Sequence, residues 1–537
     1  MTVRTVTQRL ALASLLLAGT SAAHAAMDKP VKTKDGLVQG TPGKIDGITA
    51  FKGIPFGAAP VGDLRWKAPQ PVKAWSGVRD ASKYGKVCIQ PPGGNRINPA
   101  TDMPDSPGMS EDCLYLNLWT GAKAAGEKRP VMVWLYGGAY NEGGGSSPFS
   151  EGDALAKKGV VLVTLNYRNG ALGFFSHPEL SKESGKNASG NYALMDSIAA
   201  LKWIKANIAQ FGGDPNNVTV FGESAGSCMS AALAGSPLAK GLIHRAISES
   251  GQWMGLGIAK MMPREKAEEA TVAAADKLGI KTLAELRAMP AQELFSKFRG
   301  QGMIVDGWVI PQDLSITFAK GAQNAVDILV GSNGDEGSFT AAFGPPMTLA
   351  NWKDGADKRW GTLAAEGLAA YPANTEEEAK AVSSVPFSDM LSWGMRFYAD
   401  RQAKIGKNSW FYHFTHRPPY DPGKPNLLSA HTAEIPYVFD NLAAPRTFPG
   451  ASSVSLMAGN PTEEAFADQI SSYWVNFART GNPNGAGLPE WPMVTKLAQD
   501  EAMILDAGKS GKGKNPALTP VKYAFYKKMY DRDVGIH

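Results

Sequence analysis

Val218-Thr219-Val220-Phe221-Gly222-Glu223-Ser224-Ala225-Gly226, followed by Ser227-Cys228-Met229-Ser230-Ala231-Ala232-Leu233-Ala234, reads as a strand, a tight turn carrying a serine, and a helix. Such a turn lifts a hydroxyl clear of a sheet. The helix behind it aims free amides at any negative charge that develops nearby. A Cβ at Gly222 or Gly226 would crowd the turn. In a chain with 59 glycines, Gly-x-Ser-x-Gly alone is a weak signal, and an ordinary glycine-rich turn is the competing reading. The flanking strand and helix give the pattern its weight.

The surrounding pattern repeats the alternation. Val131-Met132-Val133-Trp134-Leu135 and Val160-Val161-Leu162-Val163-Thr164-Leu165 have the continuous apolarity of strands covered on both faces. Ile198, Leu201, Ile204, Ile208 and Phe211 recur at helical spacing between Ser197 and Phe211. Asp327-Ile328-Leu329-Val330-Gly331 and Trp410-Phe411-Tyr412-His413-Phe414 read as later strands. This is an α/β sandwich built on a mostly parallel sheet. From about 256 to 318 and from 352 to 403 the pattern turns to amphipathic helix, read as insertions that cover the carboxyl edge of the sheet. With no Pro-, Gly- or Ser-rich linker between cores, residues 26 to 537 are read as a single domain.

Composition bounds the setting. Arg4 and Arg9, the apolar run from Leu10 to Ala18, and Ala23-His24-Ala25 form a secretory signal over residues 1 to 25, which predicts a periplasmic or extracellular product. No stretch approaches the roughly 18 apolar residues of a membrane span. Two of the +5 net charges are signal arginines, and the remaining +3 argues for neither nucleic acid nor membrane surface. The expected partner is a small molecule, and the chain itself a monomer or weak homo-oligomer. Of the three cysteines, Cys88 and Cys113 lie in polar, loop-like sequence and are paired, whereas Cys228 reads as a small hydrophobe inside a buried helix.

A serine nucleophile needs a base and a carboxylate to orient it. Among the seven histidines, His24 leaves with the signal, His537 is terminal, His413 lies inside a strand pattern, and His244 sits on a surface connection. Of the three left, His177, His416 and His431, the base is weighed between His431, in the late loop Ser429-Ala430-His431-Thr432-Ala433-Glu434, and His416. Asp335 and Glu336 follow the strand at 327 and compete for the acid. Tyr136-Gly137-Gly138-Ala139-Tyr140 follows another strand, and its small residues let amides approach an oxyanion; Gly138, Ala139 and Ala225 are the expected donors. Trp253, Tyr140, Tyr192, Phe339 and Phe343 are candidates for an apolar pocket, with core packing as the alternative. No HExxH, CxxC or phosphate-cradling loop occurs, so neither a metal nor an organic cofactor is expected.

Nearly the whole sequence beyond the signal resembles the type-B carboxylesterase/lipase family, α/β hydrolases that include the cholinesterases. The resemblance is carried by Phe51-Lys52-Gly53-Ile54-Pro55-Phe56, Leu64-Arg65-Trp66, Ser110-Glu111-Asp112-Cys113-Leu114-Tyr115-Leu116-Asn117, Phe211-Gly212-Gly213-Asp214-Pro215 and Phe477-Ala478-Arg479-Thr480-Gly481-Asn482-Pro483. It implies the α/β-hydrolase fold and hydrolysis of carboxylic esters through an acyl-enzyme. Position by position it implies Ser224 as nucleophile, Glu336 rather than Asp335 as acid, His431 as base, the Cys88 to Cys113 bridge, and Ser250 as the residue orienting the acid. Tyr136 and Ala139 stand where many relatives have His and a third Gly, yet each keeps a backbone amide. Ala193 stands where relatives commonly have glycine. Amide or thioester cleavage by the same residues, and a non-catalytic binding protein on the same fold, are the rival readings.

Overall fold

The computed structural model describes residues 27 to 91, 107 to 445 and 453 to 535; the signal segment lies outside the described residues. Eleven strands form one sheet. In chain order they are β1 (Thr41–Pro42), β2 (Thr49–Pro55), β3 (Tyr115–Thr120), β4 (Arg129–Leu135), β5 (Val161–Leu165), β6 (Gly213–Glu223), β7 (Arg245–Glu249), β8 (Asp327–Asn333), β9 (Ser409–Phe414), β10 (Glu501–Leu505) and β11 (Gly511–Lys514). Their spatial order is 1-2-3-5-4-6-7-8-9-10-11. The run from β5 through β10 is parallel throughout, while β1, β2, β3 and β11 pair antiparallel at the two sides.

Every residue of β5 is buried, as is all of β4 except Arg129. Helices flank the sheet, and seven matter here: α1 (Tyr192–Asn207), α2 (Ala225–Gly235), α3 (Arg264–Lys277), α4 (Ser338–Phe343), α5 (Val385–Lys404), α6 (Ile435–Val438) and α7 (Pro461–Thr480). α2 packs on β6 and β7, α5 on β8 and β9, and α7 on β4 and β6. Arg168, just past β5, grips Asp196 of α1 through Nε and a terminal nitrogen at 2.8 and 2.7 Å, tying that helix to the sheet in a fully buried ion pair.

The stretch from 256 to 318 holds α3 and shorter helices, but also a two-residue parallel pair, Met262–Pro263 with Ile304–Val305, that the helical pattern did not reveal. Such a pair is too short to carry an alternation signal. Register sets the positions of the chemically active groups. Glu223 on β6 lies opposite Glu249 on β7, and Glu249 opposite Gly331 on β8. The carboxyl ends of three adjacent strands therefore open into one crevice, the place where parallel α/β sheets bind ligands.

Candidate active site

Ser224 ends β6 and caps α2 with φ 57° and ψ −122°. An L-residue adopts that conformation only when its surroundings impose it. Here they do: a Cβ on Gly226 would lie 1.9 Å from the Leu135 carbonyl oxygen, and one on Gly222 only 2.5 Å from the same atom. The chain can pass β4 this closely only with glycine on both sides of the serine. The Ser224 N–H donates to the Glu249 carbonyl at 2.9 Å, extending the β6 to β7 ladder into the turn.

The Tyr136-Gly137-Gly138-Ala139-Tyr140 segment wraps the same point. A Cβ on Gly137 would fall 2.9 Å from Glu223 Oε2 and 3.1 Å from Ser224 Cβ. Gly138 and Ala139 have φ of 107° and 50°, in a turn closed by the N–H groups of Asn141 and Glu142 on the Gly138 carbonyl. Among the described residues, the N–H groups of Gly138, Ala139 and Ala225 donate to no acceptor, as a cradle for an anion requires. Tyr136 is anchored beneath: its hydroxyl donates to the Tyr167 carbonyl at 2.8 Å, and Tyr167 donates back to the Tyr136 carbonyl at 2.6 Å.

His431 and Glu336 meet, with Nδ1 2.6 Å from Glu336 Oε2. Glu336 is fully buried, and its other oxygen accepts the Asn333 N–H at 2.7 Å. Ser250, which the resemblance implied would orient this acid, sits at φ 57° with a buried hydroxyl that has no hydrogen-bond partner. The Asn333 backbone takes that place. Asp335 turns the other way, to the rim, where its carboxylate accepts the Ser429 N–H and faces Arg417. His416 is occupied elsewhere, between Glu463, Tyr437 and Asp506. His413 is buried in β9, and burial pushes its imidazole down to about 4.

The second nitrogen of His431 does not rest on the serine. Nε2 lies 3.1 Å from Glu223 Oε1, close enough for an ion pair but off the direction of a hydrogen bond. Glu223 and Glu434, both buried, gather around this imidazole together with Glu336, and buried Glu249 lies behind them, accepting the Trp474 indole N–H at 2.8 Å. Burial opposes charge on His431, yet Glu223 and Glu336 outweigh it and raise the imidazole to about 10. Burial likewise drives Glu223 and Glu249 well above the usual carboxylate range, and Glu434 up to about 7. Three carboxylates around one imidazole, with a fourth packed behind them, cannot all ionise in a dry site. We therefore take Glu223 to hold its proton at neutral pH, which leaves His431 facing a neutral acid. Sequence reading gave Glu223, Glu249, Glu434 and Asn333 no role. A glutamate closing an apolar strand, as Glu223 and Glu249 do, was the available signal.

Of the candidate pocket aromatics, Phe339 on α4 comes within 6.5 Å of the His431 ring, centroid to centroid. Tyr140 packs against Phe174, and Trp253 is buried with its indole N–H on the Cys228 carbonyl. Tyr192 is buried at the start of α1, whereas Phe343 is exposed. Cys88 and Cys113 form the disulfide. Cys228, expected to be buried, is instead half-buried, the one residue of α2 that is not fully buried, with its Sγ 3.7 Å from the Gln252 carbonyl oxygen.

This fold and this crevice define a serine-bearing α/β hydrolase, and the comparisons with known proteins agree. The carboxylesterase family profile matches residues 27–525. Fumonisin B1 esterase of Sphingopyxis macrogoltabida is 37% identical over 91% of this chain and 88% of its own. Para-nitrobenzyl esterase of Bacillus subtilis is 34% identical over 89% of this chain and 94% of its own. A crystal structure of a carboxylesterase from Geobacillus stearothermophilus superposes with a TM-score of 0.75 at 34% identity, covering 91% of this chain and all of that one. The chain belongs to the carboxylesterase family and is a carboxylic ester hydrolase.

Proposed function

We propose that the chain hydrolyses carboxylic esters through an acyl-enzyme in which Ser224 is the nucleophile, His431 the base and Glu336 the acid that orients it. The observation that carries this reading is the 2.6 Å contact between His431 Nδ1 and Glu336 Oε2, made beside a serine held at a helix start. With Nδ1 committed to Glu336, Nε2 is the nitrogen left to accept a proton. Moving off Glu223, the residue that precedes Ser224, Nε2 takes the Ser224 hydroxyl as its partner in the reactive arrangement. Because Glu223 keeps its own proton, the imidazole arrives as a base rather than as a cation.

Ser224 Oγ then attacks the ester carbonyl carbon while its proton passes to Nε2, and Glu336 stabilises the imidazolium. The carbonyl oxygen, now an anion, takes the free N–H groups of Gly138, Ala139 and Ala225. The C–O bond to the alcohol breaks as Nε2 returns the proton to the leaving oxygen. Water, deprotonated by the same imidazole, attacks the acyl-serine and releases the carboxylic acid. Export belongs to the same reading, supported by the Cys88 to Cys113 disulfide, a bond of oxidising compartments.

The test is turnover of para-nitrophenyl esters of graded acyl length, with fumonisin B1 and para-nitrobenzyl esters as further probes because two of the relatives are named for them. Ser224→Ala lowers kcat by roughly three to six orders of magnitude. A fluorophosphonate probe labels the parent at Ser224 and leaves that variant unlabelled. Turnover retained by Ser224→Ala refutes the mechanism, and matched amide and thioester substrates decide between ester cleavage and the rival acyl transfers.

A further inference from the structure

The acid and the base arrive on different loops, one after β8 and one after β9, and something must fix the distance between them. The base loop closes a turn on itself, with the Ala433 N–H on the Ala430 carbonyl at 3.1 Å and the Ile435 N–H on the Thr432 carbonyl at 3.3 Å, but neither bond reaches the acid loop. Thr432, next to His431, has φ 74°, a conformation that a β-branched residue keeps only under external constraint.

Asn333, the last residue of β8, is fully buried at the point where the two loops touch. Its backbone N–H donates to Glu336 Oε1 at 2.7 Å, closing the Asn-Gly-Asp-Glu turn and leaving Oε2 for the histidine. Its side chain reaches the other loop. Nδ2 donates to the Ala430 carbonyl at 2.7 Å and to Glu434 Oε2 at 2.5 Å, which lie one residue before and three residues after His431. A carbonyl can only accept, so the nitrogen and not the oxygen of the carboxamide must face Ala430. Both amide hydrogens are spent on the two shoulders of the imidazole loop, while Oδ1 is buried with no partner. Asp335 and Ser429 add a further stitch, with reciprocal bonds of 3.0 and 3.2 Å, but at the partly exposed rim where water competes. The Asn333 bonds lie in the dry interior, where each is stronger.

We propose that Asn333 is a positioning residue of this esterase, its backbone holding the acid and its carboxamide holding the loop of the base, so that one residue sets the separation of Glu336 and His431. The inference rests on the triad reading above. Asn333→Asp keeps the shape of the side chain and the N–H on Glu336, but it turns lone pairs toward Ala430 and Glu434 in place of donors. The base loop then loses both ties. A displacement of the imidazole of about 1 Å lowers kcat on para-nitrophenyl acetate roughly 10- to 100-fold, with KM changed less than about threefold. Adding Glu434→Gln to Asn333→Asp supplies a donor from the opposite side and restores kcat at least about threefold, a recovery that general loss of packing would not give.

Folded Asn333→Asp protein with kcat within about twofold of the parent, or a double variant with no recovery, overturns the inference. If Asn333→Asp does not yield folded protein, Asn333→Ser, smaller and neutral, carries the same expected kcat loss, and parent-like kcat there overturns the inference equally. Ser224→Ala and His431→Ala are measured alongside. Activity surviving in those two overturns the triad itself, whereas their inactivity beside a parent-like Asn333→Asp overturns only the positioning role.

Discussion

Glu223 stands next to Ser224, the proposed nucleophile, in sequence and next to His431, the proposed base, in space, 3.1 Å from its Nε2. An ionised carboxylate there favours the imidazolium and so opposes the proton uptake that catalysis requires. The sign follows: a Glu223 that keeps its proton adds no such charge, whereas an ionised Glu223 would raise the His431 pKa and move the acid limb of the pH profile to higher pH. Glu223→Gln, a neutral side chain of the same shape as the protonated acid, is expected to leave the acid limb of kcat/KM where the parent's lies, as read from initial rates on a neutral ester between pH 4 and 9; a limb shifted to lower pH would show that Glu223 is ionised in the parent. Glu434, raised to about 7, lies one layer further out and titrates within the same range. Little of this was legible in the chain. Glu223 is an unremarkable member of Gly-Glu-Ser-Ala-Gly until the β6 to β7 register sets it beside Glu249 and the late loop brings His431 over it.

At the scale of the element, the strand–turn–helix around Ser224 was readable because its demands are local. Leu135 on β4 leaves no room for a methyl group at Gly226, and Gly226→Ala is expected to destabilise the protein by about 3 kcal/mol or more, overpacking with no flexible neighbour to yield. Urea unfolding measures that loss, and a change under about 1 kcal/mol would show that the close approach is not rigid. β4, β5, β8 and β9 were legible for a related reason: strands buried on both faces read as short, nearly continuous apolar runs. The Met262–Pro263 and Ile304–Val305 pair was not, since two residues hold no period. Cys228 shows the same boundary, because a helix of small residues discloses neither which face meets the sheet nor which side chain is left half-covered.

Across the molecule, the Cys88 to Cys113 bridge closes a loop of 25 residues. In the chain-entropy account it stabilises the fold by about 3.5 kcal/mol. Replacing both cysteines by alanine is expected to lower the unfolding free energy by about that amount, and reductant to have no further effect on the double variant; equal stability of parent and variant would discount the bridge. No helix among the described residues is long and apolar enough to cross a membrane. The sheet does the remaining work at this scale, since the parallel run from β5 to β10 gathers the ends of β6, β7, β8 and β9 at one edge.

What consecutive residues dictate is therefore the architecture and the turn that carries Ser224: run length, periodicity and the steric need for glycine are short-range properties that a chain carries before it folds. The pairing of Glu336 with His431, 95 positions apart, the dismissal of Asp335 to the rim, and the crowding of two further glutamates about one imidazole have no local signature. They follow from strand register and from the closure of loops on separate strands, and these are fixed only when the whole sheet has assembled.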